Sequence, residues 1–284
     1  MTAARSIDPS TSAPRKGLTA LLAQPGPLVM GVLNITPDSF SDGGRYLDAR
    51  AALAQAQKMI ADGADIIDVG AESSRPYSGV QPVSAAEELA RLKPVLADLV
   101  ALGTPVSIDT MKAEVARAAL QHGVAMLNDV WGLQRDAEMA GLAATHDVPI
   151  VLMHNREAAD PAIDIMEDIA AFFERSLAIA AKAGILKSSI ILDPGIGFGK
   201  TAAQSMTALA HLAELSVFGC PILVGASRKR FIASVSPSEP QGRLGGSIAA
   251  HLIAAEHGAK IVRSHDVAET VQALKLAAAI EASR

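Results

Sequence analysis

The chain has 284 residues, half of them hydrophobic, and a formal net charge of -5. No apolar run reaches the roughly 18 residues of a membrane span, and no block of Lys and Arg forms a nucleic-acid footprint. Cys220 is the single cysteine, which excludes an internal disulfide framework. The partners expected are therefore small molecules, with no nucleic acid and no membrane. The length suits one α/β domain, because a (β/α)8 barrel takes roughly 250 residues. Residues 1–26 are polar and proline-bearing and read as a loose tail or an early cap, and 27–284 as the domain. Arg5, Arg15 and Lys16 give that tail a faint likeness to a transit peptide. The cytoplasm is the default location.

The first element is the apolar run Leu28 to Leu33, a buried parallel strand by pattern. It ends at Asn34, and Thr36, Pro37, Asp38, Ser39, Ser41, Asp42 and two glycines follow as a loop. A helix is predicted over about 49–62, with Gly63 to stop it. Asp65 to Gly70 reads as the second strand, ending in Glu72-Ser73-Ser74-Arg75-Pro76. Ser84 and Glu87 have the spacing of a capping box at the start of the next helix. Pro105 to Ile108 is a strand ending at Asp109. A helix follows over about 112–121. Met126-Leu127 leads to Asn128, with a helix from about Asp136. Pro149 to Met153 leads to His154, followed by a long amphipathic helix that stops at Gly184. Ser189 to Leu192 leads to Asp193, with a helix over about 202–215. Pro221 to Gly225 leads to Ser227-Arg228-Lys229, with a helix from about Ser247 to Gly258. Ala259 to Val262 leads to Arg263-Ser264-His265, and an alanine-rich helix closes the chain.

Eight strand-then-helix units in succession predict a (β/α)8 barrel, because parallel strands need helical crossovers. An open doubly wound sheet is the alternative. In such barrels the active site lies at the carboxyl ends of the strands. Those ends carry Asn34, Glu72 to Arg75, Asp109, Asn128, His154, Asp193, Ser227 to Lys229, and Arg263 to His265. So many hard polar groups on one rim indicate binding or catalysis. The last two ends, the usual phosphate position of this fold, hold Arg228, Lys229, Arg263 and His265. Four basic groups there, in a net acidic chain, point to an anionic ligand. Carboxylates at Asp109 and Asp193 need partners. A lysine or a backbone amide would serve, and so would a heterocycle with an N–H/NH2 edge, flanked by Met153, Phe198 and Arg263.

Two patterns are set aside. Gly195-Ile196-Gly197-Phe198-Gly199-Lys200-Thr201 resembles a P-loop, but Pro194 stands where the first glycine belongs. The seven histidines show no zinc spacing. His122, His146, His211, His251 and His257 fall on or beside helices and read as solvated or packing residues.

The segments MGVLNITPDSFSDGG, DIIDVGAESSRP, SIDT, NDV, MH, DPGIGFGK, VGASRK and RSHDV occur in that order. Together they resemble the dihydropteroate synthase family of pterin-binding barrels, from about Leu28 to Thr270. The resemblance implies transfer of a dihydropterin-methyl group from its diphosphate ester to p-aminobenzoate, with Mg²⁺ present. It implies a pterin site of Asp109, Asn128, Met153, Asp193, Phe198, Gly225, Lys229 and Arg263. Asp109, Lys229 and Arg263 take the catalytic part. Asn34, Ser74, Arg75, Arg263 and His265 would meet diphosphate, with Asn34 also near the metal. Phe40, Pro76, Ser227 and Arg228 would shape the aminobenzoate pocket, the target of sulfonamides. A cytoplasmic homodimer is expected. The chain departs from the family pattern at Ser74, at Tyr77 and in a slightly longer 77–81 segment. A pterin-dependent methyltransferase and an inactive pterin-binding paralogue are the rival readings.

Overall fold

The computed structural model describes residues 18, 20–35, 45–72 and 83–283. Eight strands form a closed barrel in which each strand lies parallel to its neighbours in sequence, and the last pairs with the first. They are β1 (Leu28–Asn34), β2 (Ile66–Gly70), β3 (Val106–Asp109), β4 (Met126–Asp129), β5 (Ile150–Met153), β6 (Ile190–Asp193), β7 (Ile222–Val224) and β8 (Ala259–Ser264). The helices between and after them are α1 (Arg45–Ala61), α2 (Ala85–Leu92), α3 (Leu96–Ala101), α4 (Ala113–Gln121), α5 (Glu138–His146), α6 (Ile165–Ala183), α7 (Ala202–Ala210), α8 (Arg230–Val235), α9 (Leu244–Glu256) and α10 (Val267–Glu281). No helix among the described residues is long and apolar enough to cross a membrane.

The two-residue period of a strand divides the apolar residues into two cores. Val29, Leu33, Ile67, Val69, Ile108, Leu127, Leu152, Leu192, Val224 and Val262 face outward and pack under the helices. Leu28, Met30, Ile66, Met126, Val151, Ile191, Leu223 and Ile261 face inward and fill the barrel. Leu18 is fully buried with this inner set, and Leu21 and Leu22 pack against it. The Lys260 ammonium reaches the carbonyl oxygens of Gln24 and Gly26, 2.7 Å away in the second case. This part of the leading segment therefore caps the inner core. Small outward residues bring helices close: a Cβ on Gly31 would stand 3.0 Å from Met59 Sδ and 3.2 Å from Val267.

Local signals account for the ends of the elements. Ser84 and Glu87 do form the capping box of α2. That helix then breaks at Lys93-Pro94-Val95 and resumes as α3, because proline cannot continue the hydrogen-bond ladder. The long α6 starts at Asp164, whose carboxylate accepts from the Met166 and Glu167 amides, and stops at Gly184 with φ +85°. The helix expected over 202–215 is α7 followed by a 3-10 segment, Leu212–Phe218. The short α8 between β7 and α9 was not expected.

Candidate active site

Two residues beyond each inward apolar residue, the same face of the strand carries the rim. Ile66 is followed by Asp68, Met126 by Asn128, Val151 by Met153, Ile191 by Asp193, Leu223 by Gly225 and Ile261 by Arg263. Asp109 follows Ser107 in the same way on β3. Register aligns Asp109 with Asn128, and Met153 with Asp193. A polar layer thus lies directly on an apolar one. It opens into a small cavity lined by Asp109, Asn128, Val130, Met153, Asp193, Ile196, Phe198, Gly225, Lys229 and Arg263. All eight residues expected around a flat heterocycle line this one cavity, with Val130 and Ile196 added.

Arg263 is the hub. Its Nε donates to Asp68 Oδ2 at 2.6 Å and its Nη2 to Asp109 Oδ2 at 2.8 Å. Asp68 also accepts from Asn128 Nδ2 at 3.1 Å. Asp68 is fully buried and fixes both Arg263 and Asn128, yet it lies inside a strand and not at its end. Its inward position, two residues after Ile66, is the signal that could have found it. Burial pushes the Asp109 carboxyl up to about 7, with Arg263 pulling it back and the Asp68 charge adding to the rise. Burial likewise raises Asp193 to about 6, against the Gly195 amide, which donates to its Oδ1 at 2.7 Å. Among the described residues, the buried Asp68 Oδ1, Asn128 Oδ1 and Ser107 Oγ atoms find no hydrogen-bond partner. Buried unmet acceptors are costly and mark a place for donors from a ligand. The Lys229 ammonium stands 3.8 Å from the centre of the Phe198 ring, one wall of the cavity.

The β7 and β8 loops are tied together. Ser227 Oγ accepts the His265 amide at 3.1 Å and lies 3.0 Å from His265 Nδ1. Burial and the nearby Arg263 and Arg228 charges hold the His265 pKa down at about 3, so the ring is neutral. Arg228 adopts φ +57° and forks onto Asp266, Nε to Oδ2 at 3.1 Å and Nη2 to Oδ1 at 2.5 Å. Of the four basic groups expected to attract an anion, Arg228 and Arg263 are therefore balanced by carboxylates and His265 is neutral.

His154 does not line the cavity. It is buried beneath the rim between Lys200 and Asp168. Glu72 closes the end of β2 by accepting from the Val83 amide at 3.0 Å and from Lys112 Nζ at 2.6 Å. Asn34 ends β1 on the inner face, and a Cβ built on Gly70 would be 3.8 Å from its Oδ1 and 3.6 Å from Asp109 Oδ2. Phe40, Ser74, Arg75 and Pro76, with the 77–81 segment, lie outside the described residues.

The family described as "Pterin binding enzyme" matches residues 30–265. The dihydropteroate synthase of Bacillus subtilis is 45% identical over 250 residues, covering 88% of this chain and 87% of the relative. The chain belongs to the dihydropteroate synthase family. A crystal structure of the Clostridium difficile dihydropteroate synthase in the presence of pteroic acid superposes with a TM-score of 0.87 at 46% identity, over 90% of this chain and 97% of that one. The Xanthomonas albilineans dihydropteroate synthase with 4-aminobenzoic acid also gives 0.87, at 44% identity over 91% and 94%.

Proposed function

We propose the following division of labour for the family's reaction, in which a dihydropterin-methyl diphosphate and p-aminobenzoate give dihydropteroate and diphosphate. The observation that carries it is the layer of ionisable groups lining the cavity, where the Asn128 Oδ1 acceptor finds no donor among the described residues. A pterin presents an N–H/NH2 edge on a flat ring. Asp193 and Asp109 accept from that edge, Asn128 adds an amide, and Lys229 donates to the ring's acceptors. Met153 and Phe198 close on its faces. Arg263, held by Asp68 and Asp109, stacks on the ring and turns its outer N–H groups to the diphosphate.

The chemistry needs charge and position, not a protein nucleophile. Diphosphate leaves once cations meet its charge, and the electron-rich ring stabilises the methylene cation left behind. The aniline nitrogen then attacks that carbon, the C–N bond forms, and the nitrogen loses a proton. His265, a neutral ring at the end of β8, donates a ring N–H to the departing group. Ser74 and Arg75 are assigned to the same anion, and Phe40, Pro76 and Ser227 to the aminobenzoate side. Arg228 is assigned there too, through its backbone, because its guanidinium is taken by Asp266.

Among the described residues no three His, Cys, Asp or Glu side chains gather to hold a metal. Asn34, at the end of β1 on the inner face, nonetheless offers a neutral hard oxygen. That suits Mg²⁺, which takes few protein ligands and fills its shell with water and phosphate oxygens. When bound, Mg²⁺ would neutralise part of the diphosphate charge. A homodimer is also proposed, supported by Leu244 and Ile253 on α9 and Leu276 and Ile280 on the adjoining α10, all exposed. Sedimentation tests it.

Steady-state kinetics test the residue roles. Arg263→Ala and Asp193→Ala are each expected to lower kcat/KM by about 100-fold or more, the scale of a lost electrostatic group. Near-normal values would overturn the role of the residue concerned.

A further inference from the structure

Lys200 closes the segment set aside as a false P-loop, and no step above uses it. It is buried, with 3% of its surface exposed. Its ammonium has three protons and meets three acceptors: His154 Nδ1 at 2.6 Å, the Gly195 carbonyl at 3.0 Å and the Phe198 carbonyl at 3.2 Å. His154 is fully buried, and burial with the Lys200 charge holds its pKa at about 3. Its ring is therefore neutral, with Nδ1 accepting from Lys200 and Nε2–H donating to Asp168 at 2.9 Å. Asp168 also binds Arg156 at 2.9 Å.

The turn that Lys200 grips leaves no slack. Gly195 has φ +65°, and a Cβ there would lie 2.0 Å from the His154 carbonyl oxygen. A Cβ on Gly199 would lie 2.4 Å from that of Arg156. The β6 turn thus rests on the β5 turn, backbone to backbone, with one ammonium stitched through both. Both carbonyls it binds belong to residues with a second task. The Gly195 amide donates to Asp193, and Phe198 is the cavity wall beneath Lys229.

We propose that Lys200 is a positioning residue for the pterin site: it fixes the turn carrying Asp193 and Phe198 and puts a buried positive charge on the loop that leads from Asp193. The inference rests on the pterin reading of the cavity. Burial draws Lys200 down to about 7, with Asp193 and Asp168 pulling it back up and Lys229 and Arg156 opposing them. Three acceptors on three protons favour the charged form. Asp193 in turn faces Lys229 from the β7 loop, Arg263 from β8, Lys200 from its own loop and the Gly195 amide. Removing Lys200 removes one of three cations and raises Asp193 further.

The test is pteroate binding across pH 5 to 9 by the wild-type protein, Lys200→Met and Lys200→Gln. Wild type is expected to lose affinity near pH 7, as Asp109 takes up a proton, and again in an acid limb near pH 6, as Asp193 does. In Lys200→Met that acid limb moves up by about one pH unit, the effect of removing a nearby charge. Affinity then falls by about tenfold relative to wild type at pH 5, below both values, and by about twofold at pH 7. KM for the dihydropterin substrate rises with it, and KM for p-aminobenzoate stays within about twofold. Lys200→Gln removes the charge but keeps a donor for the carbonyls, so its limb moves the same way. It serves alone if Lys200→Met does not fold. Weakening equal at every pH, with the limb unmoved in both variants, would overturn the proposal. Failure of the wild-type protein to bind pteroate would instead overturn the reading of the cavity.

Discussion

Asp68→Asn tests the hub of the site without changing its volume. Asp68 Oδ2 accepts from Arg263 Nε at 2.6 Å and from Asn128 Nδ2 at 3.1 Å, with no exposure to solvent. Asparagine keeps the shape and one acceptor but loses the charge. A hydrogen bond to a charged group contributes about 1.5–3 kcal/mol, and a neutral replacement keeps about 1. Leaving a buried charge wholly unpaired costs about 3–5 kcal/mol. That larger figure does not apply, because Asp109 still holds Arg263 through Nη2. About 2 kcal/mol of orienting energy is lost, which is about 30-fold in kcat/KM. A second effect has a definite sign. The Asp68 charge helps raise Asp109 to about 7, so the variant lowers the Asp109 pKa and moves the acid limb of kcat/KM to lower pH. Diphosphate release followed from about pH 5 to 9 measures both effects. A kcat/KM within about threefold of wild type, with an unmoved limb, would refute the hub role.

Asp109→Asn should raise the stability of the ligand-free protein at about pH 8 while abolishing pterin binding. The folded pKa of Asp109 lies above its unfolded value, so its ionisation costs stability as pH rises from about 4 through 7. The gain in Tm should be a few degrees at about pH 8, shrink to about a third near pH 5 and vanish below about pH 4, and equal or lower Tm at pH 8 would contradict it. Gly195→Ala should destabilise by about 2–3 kcal/mol or more in urea unfolding, because its Cβ has no room and its φ is +65°. Wild-type stability in that variant would mean the two turns are not in contact. Ser84→Ala removes the α2 capping box and should cost about 1 kcal/mol of stability. Because the box lies at a helix start and not in the cavity, its effect on kcat/KM is a control. A sulfonamide should compete with p-aminobenzoate and not with the dihydropterin, a pattern read from double-reciprocal plots.

The barrel was legible because its units are local: an apolar run, a polar end, a helix with a glycine stop. Boundaries slipped where a single residue overrides periodicity, as Pro94 does between α2 and α3, or where a helix is as short as α8. The rim was legible for the same reason that the strands were, since a charged residue after an apolar run is conspicuous. Asp68 was not, because Ile-Ile-Asp-Val-Gly reads as one buried strand until the inner and outer faces are separated. Nor could the sequence show which basic groups are spoken for. Arg228 pairs with Asp266, 38 residues on, and His154 finds Lys200 46 residues away. Such pairings come from closure of the barrel, not from any local pattern.

The most direct measurement is diphosphate release by the purified protein from the dihydropterin-methyl diphosphate with Mg²⁺, with and without p-aminobenzoate. Release that depends on p-aminobenzoate, with dihydropteroate formed in equal amount, is the expected result. Pterin binding with neither diphosphate nor dihydropteroate formed would contradict the account and leave the cavity a binding site alone.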